Sequence, residues 1–337
     1  MSLLVNLALV LAAGFLQGTF VLPMTLTKGW RWEHTWGIFS LLGMLLFNWF
    51  FTLLTIPQIF SIYRAVPLSR ILALILFGLG WGIGAVLFGI GMARLGMALG
   101  YPIIMGLIAS LGALIPMAVL FPASITSARG ELVVAGTLIT VAGIVLCSYA
   151  ASAKVAPANG AEAHPSRALR TGILIAVFAG TLSCLPNVGM ALAGSVISAA
   201  EAQGVSHSLS SNAVWALFFT VGFLVNVSYC GFRLLSSGSL QEYSGPRAVA
   251  NLGLCVAMAL MWIGSFYLYG MAASGLGKWG PVIGWPLFIS SSILVGNLWG
   301  LWRGEWQTAS RKSKSVLSYG LAVLLIAIGL AAWSNTI

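Results

Sequence analysis

The sequence predicts an all-α protein that threads a lipid bilayer ten times, and three observations carry that expectation. Of 337 residues, 59% are hydrophobic and only 7% charged, with a mean hydropathy of +1.00. That is too little polar surface to coat a water-soluble fold. Asp is absent, and the six acidic residues are all Glu, the depletion expected where unpaired charge would meet hydrocarbon. Finally, apolar runs of about 20 residues, the length a helix needs to cross a bilayer, recur along the chain.

The first run lies near 3–24, in MSLLVNLALVLAAGFLQGTF. It has no Lys or Arg before its apolar stretch, so it reads as the first span and not as a cleaved leader. Four more runs follow near 36–56, 71–92, 97–121 and 131–151. The stretch AKVAPANGAEAHPSRALR then combines Pro, Gly, Asn and charges, which marks a solvated linker over 154–170. Five further spans are expected near 171–192, 212–236, 248–273, 280–301 and 315–334. The chain thus divides into residues 1–153, a cytoplasmic linker over 154–170, and residues 171–337.

Orientation follows from loop charge. The odd-numbered connections hold twelve Lys and Arg, from Lys28 and Arg31 through Arg311, Lys312 and Lys314. The even-numbered ones hold four: Arg64, Arg70, Arg129 and Lys278. Basic loops stay in the cytoplasm, which puts both termini outside. The two halves also echo each other. Trp81, Phe88-Gly89 and Leu95-Gly96 recur at an offset of 181 residues as Trp262, Tyr269-Gly270 and Leu276-Gly277. Ala13-Gly14 recurs as Ala179-Gly180, and Arg129-Gly130-Glu131 as Arg303-Gly304-Glu305, at offsets of 166 and 174. Five helices per half make such repeats inverted, an arrangement common in alternating-access carriers.

Several function classes are excluded. A net charge of +10 invites a nucleic-acid reading, but no basic run alternates with aromatics, and topology explains the charge. Cys147, Cys184, Cys230 and Cys255 lie in apolar runs without CxxC spacing, so they read as buried small side chains. His34, His164 and His207 fall in expected loops, and no pair has metal-ligand spacing. Neither a G-x-S-x-G nor a P-loop occurs. No enzyme, metal or cofactor is expected; a small solute and the bilayer are the partners, and oligomeric state is left open.

What the spans offer instead is neutral polarity. Gln17, Asn48, Ser183, Asn187, Asn226, Asn251, Ser290, Ser291, Ser292 and Asn297 sit in apolar context. In hydrocarbon each must find a partner, and interhelical hydrogen bonding accounts for most of them. Some are expected to line a cavity. Ser183 and Asn187 share a face of the sixth span around Pro186, which frees a carbonyl. Trp262 and Tyr269 share a face of the eighth span, as Trp81 and Phe88 do on the third, and Trp285 opens the ninth. A flat ring beside amides suits a sugar, apolar on its C–H face and hydroxylic at its rim. The candidate substrate contacts are therefore Gln17, Trp81, Ser183, Asn187, Trp262, Tyr269 and Trp285. For proton coupling the candidate is Glu33, at the start of the second span, where the helix dipole also favours a carboxylate.

These residues carry a resemblance. Trp30-Arg31-Trp32-Glu33-His34-Thr35-Trp36, Trp81-Gly82-Ile83-Gly84, Arg94-Leu95-Gly96-Met97, Met261-Trp262, Glu305-Trp306 and EWQTASRKSKSVLSYG resemble bacterial L-rhamnose–proton symporters of the drug/metabolite transporter superfamily. The resemblance runs nearly end to end. It implies ten helices in two inverted repeats, a bacterial inner membrane, and import of L-rhamnose or a related deoxyhexose with a proton; in such a membrane the termini that loop charge puts outside are periplasmic. An exporter or exchanger of another small metabolite, as elsewhere in that superfamily, is the alternative.

Overall fold

A computed structural model of the chain describes residues 2–154, 166–334 and 336. The expected linker therefore lies largely outside the described residues. Among the described residues, ten helices are long and apolar enough to span a bilayer: α1 (Leu3–Leu26), α2 (Trp32–Thr55), α3 (Leu68–Gly96), α4 (Leu99–Leu120), α5 (Ala128–Ala153), α6 (Leu169–Leu192), α7 (Asn212–Ser236), α8 (Ala248–Gly275), α9 (Gly277–Trp302) and α10 (Arg311–Ser334). Each overlaps an apolar run read from the sequence. Large apolar side chains such as Leu54, Phe50, Leu174 and Phe178 remain exposed on these helices, as a lipid-facing surface requires.

Local departures from regular α-helix mark α2, α6 and the end of α3. Within α2, residues Leu41–Phe47 form a π-helix, a rare geometry that widens the turn and concentrates at functional sites. α6 breaks between Ser183 and Leu185, because Pro186 has no N–H to give and its ring crowds the carbonyl one turn back. α3 ends at Gly96, whose φ of 67° is left-handed; a residue without Cβ takes that conformation at little cost.

The helices form two compact units, each drawing on both halves of the chain. One comprises Met1–Ile83 and Gly189–Gly277, the other Gly84–Val188 and Lys278–Ile337. Lipid tails are as apolar as leucine, so close packing and interhelical hydrogen bonds must hold each unit. In the first, α8 packs along α1, and Gly275 leaves room for Asn6. α2 packs on α7 and α8, with Gly43 pressed against Ala259 and Trp262. In the second, α10 lies along α5: Gly143 faces Leu324, Gly320 faces Cys147, and the Ser313 hydroxyl donates to Ala150 O at 2.6 Å.

Candidate functional site

In the first unit the aromatic residues singled out from sequence lie at the centre. Trp262 stacks on Trp81, with ring centroids 5.9 Å apart and planes 21° from parallel. Phe219, Phe266 and Phe39 surround Trp262 at 4.7, 5.1 and 5.6 Å, and Trp215 stacks on Phe219. Seven residues beyond Trp262, on the same helix, Tyr269 is fully buried. Gln17 is half-buried on α1, and the Ser265 hydroxyl lies 2.7 Å from both Gln17 Oε1 and Trp262 O. One proton cannot serve two acceptors; with the Gln17 amide turned over, its Nε2 donates to Ser265 and both contacts are satisfied. The structure therefore brings Gln17, Trp81 and Trp262 into one neighbourhood. The two indole rings pack on Phe219 and on each other, and Trp262 also packs on Phe266.

Glycine permits that close packing. A Cβ on Gly222 of α7 would fall within the Trp81 ring, whereas one on Gly231 of the same helix meets nothing within 4 Å. Gly222→Ala is expected to destabilise by about 1–3 kcal/mol through overpacking. Gly231→Ala is expected to stabilise by about 0.5–1 kcal/mol through lost chain entropy. Thermal midpoints of the two purified variants check this: a fall for the first and a rise for the second.

Other intramembrane amides are structural. Asn48, at the end of the π-helix, donates to Trp215 O at 3.1 Å and Ala216 O at 3.2 Å, and Tyr267 OH donates to Asn48 O at 2.8 Å. Asn226 accepts from Trp36 Nε1 at 2.9 Å, and Asn251 clasps the Lys28 backbone. These amides fix α2 on α7 and the α1–α2 connection on α8.

At the other end of α2 lies a charged cluster. Glu33 occupies the first helical turn, its side chain only 9% exposed and 3.6 Å from Arg233 of α7. Among the described residues it is the one buried acid. His34, expected in a loop, is instead helical and fully buried. Its Nδ1 accepts from Arg31 N–H at 3.3 Å, so its Nε2 carries the proton toward Ser239 O at 2.8 Å. Arg31 pairs with Glu242 at 3.0 Å. Tyr243 donates to His34 O at 3.2 Å, and burial pushes its phenol up to about 12, keeping it a neutral donor. Polar side chains hid the start of α2, because its first turn reads as loop by hydropathy.

The second unit gathers Ser183, Asn187 and Trp285. Asn187 Nδ2 donates to Gly112 O at 2.7 Å and Pro281 O at 2.8 Å. Trp285 Nε1 donates to Ile108 O at 2.8 Å, and its ring occupies the place a Cβ on Gly112 would take. Ser183 sits at the α6 break, closely approached by Gly84. Asn187 thus ties α6 to α4 and to the start of α9. Sequence reading missed Phe39, Trp215, Phe219 and Arg233; the i, i+4 spacing of Trp215 and Phe219 was the only local signal for any of them.

Ten spans among the described residues, one with a widened turn and one broken, define a multi-pass membrane protein. The family profile described as L-rhamnose-proton symport protein matches residues 2–334, and the chain belongs to that family. It is therefore a transporter and not an enzyme. Its relatives include L-rhamnose-proton symporters of Klebsiella pneumoniae strain 342, 29% identical over 315 residues covering 91% of each chain. That of Cronobacter sakazakii is 28% identical over 326 residues, covering 94% of each. A third, from Yersinia pestis strain Pestoides F, is 27% identical over 325 residues, covering 93% of this chain and 94% of its own.

Proposed function

We propose that this protein imports L-rhamnose or a related deoxyhexose together with a proton across a bacterial inner membrane. The relationship over residues 2–334 to a family of sugar–proton symporters carries the reading. The site chemistry supports it. In the first unit Trp81, Trp262 and Tyr269 supply apolar ring surface and Gln17 a hydrogen-bonding group for hydroxyls; in the second Trp285 supplies ring surface, and Ser183 and Asn187 hydrogen-bonding groups. Glu33 takes the proton, since it is buried, acidic and held beside a single exposed arginine. We further propose two inverted five-helix repeats, residues 1–153 and 171–337, with both termini periplasmic, as loop charge and the spaced sequence matches suggest. An impermeant label on cysteines placed at 28 and 170 tests that arrangement: both are expected to react from the cytoplasmic side.

Counterflow tests the substrate. Proteoliposomes preloaded with unlabelled L-rhamnose are expected to take up labelled L-rhamnose transiently, and sugars lacking the 6-deoxy group are expected to compete poorly. Thermal stabilisation by amphipathic cations but by no sugar would overturn the assignment.

A further inference from the structure

The connection between α6 and α7 contains a junction that the transport reading does not use. The short helix Gly194–Ala202 carries Glu201 near its end, and the chain turns through His207 before entering α7. His207 Nδ1 is 2.6 Å from Glu201 Oε1, and Nε2 is 3.1 Å from Ser274 O in the last turn of α8. Both facing atoms accept hydrogen bonds. A neutral imidazole has one N–H and satisfies one of them; the imidazolium satisfies both. The Ser210 hydroxyl donates to His207 O at 2.8 Å and steadies the turn. Protonated His207 thus joins the short helix, the turn and the end of α8.

Among the described residues, the ion pair of His207 and Glu201 includes no third charged side chain. Glu201 is the one ion-pair partner of His207 among the described residues. The helix Ile59–Ala65 packs against Gly194–Ala202 and carries Tyr63 and Arg64. Tyr63 donates to Ala213 O, burial holding its phenol far above the ordinary range, and Arg64 forms no ion pair with Glu201 among the described residues. Gln58 reaches the same segment as a neutral amide, donating to Gln203 O.

The next turn of chain holds polar atoms that the protein leaves unpaired. Ser211 Oγ, Asn212 Oδ1 and Trp215 Nε1 are buried without hydrogen-bond partners. Ser211 and Trp215 crowd Gly270 of α8, where any Cβ would collide with them. A buried polar atom left unpaired costs about 1–3 kcal/mol, and water admitted to this end of α7 would return that energy. The contact with Ser274 O opposes it.

We propose that His207 is a pH-operated latch: its imidazolium ties the α6–α7 connection to the end of α8, and loss of the proton opens this end of α7 to water. The hydrogen bond to Glu201 holds His207 above the ordinary imidazole range. A group raised on folding stabilises at acid pH, so the latch is closed there and is lost as pH climbs through the raised value. If the even-numbered connections face the periplasm, as proposed above, the latch senses the compartment that supplies the proton; the latch itself does not depend on that orientation.

Ser211→Cys reports the state of the latch. In purified protein, its labelling by a soluble maleimide is read by peptide mass, which separates it from the native cysteines. It is normalised at each pH to an exposed Ser236→Cys, which removes the pH dependence of the thiol reaction. Between about pH 6 and about pH 9 the normalised labelling is expected to rise about threefold or more with His207 present. In H207Q it is expected to be high and flat, and in E201Q the rise is expected to move to lower pH. The same rise in H207Q, or none with native His207, would overturn the latch.

Discussion

Proteoliposomes carrying Glu33→Gln are expected to exchange L-rhamnose in counterflow at nearly the native rate yet fail to concentrate it. With one proton per sugar, a pH gradient of about one unit supplies about 1.4 kcal/mol and sustains about a tenfold gradient of sugar. In the variant that ratio is expected to fall to one. The separation is meaningful because the substitution keeps the shape of the side chain and removes only its charge. Arg233, left without its partner, is about half exposed and finds water, so the helix pair is expected to fold normally. Native accumulation in the variant would mean that another group carries the proton.

The second large effect concerns Trp262. Truncation to Ala removes a side chain packed on Phe39, Trp81, Phe219 and Phe266 and is expected to cost about 3–5 kcal/mol. Lost transport in that variant would say little by itself. Trp262→Phe is the sharper test, because it keeps an apolar ring against the same neighbours while reducing the surface offered to a sugar. Counterflow by the folded fraction is expected to drop at least about tenfold, the equivalent of about 1.4 kcal/mol of substrate interaction. Undiminished counterflow per folded molecule would make Trp262 a core residue only.

Hydropathy made the ten spans legible, since each is an apolar run with few charges. What it concealed follows from the same physics. α2 begins four residues earlier than the apolar run because Glu33 and His34 are buried by partners distant in sequence: Arg233, Ser239 and Glu242. The π-helix over Leu41–Phe47 has no composition of its own; it shows only once α7 and α8 are packed against it. The short helices Ile59–Ala65 and Gly194–Ala202 are too brief for a periodic signal. For the candidate site, Trp81 and Trp262 were readable as a pair on two helices. Their stacking depends on Gly222, whose role only the packed structure reveals. His207 gave no signal at all, because its partners lie six and 67 residues away.

The amides show where sequence reading separates structure from function poorly. Asn48 and Asn187 look alike as polar residues in apolar spans, and both turn out to clasp backbone carbonyls of neighbouring helices. A substrate that reaches Asn187 must compete with Gly112 O and Pro281 O for its two protons. Hydrogen bonds within membranes are worth about 0.6–2 kcal/mol each, small enough for such an exchange.

Movement of sugar and proton together is the central claim, and a pH-sensitive dye sealed inside proteoliposomes tests it most directly. Adding L-rhamnose outside, with no initial gradient, is expected to acidify the lumen in native vesicles and to leave it unchanged with Glu33→Gln. Sugar entry without any acidification of native vesicles would contradict proton symport.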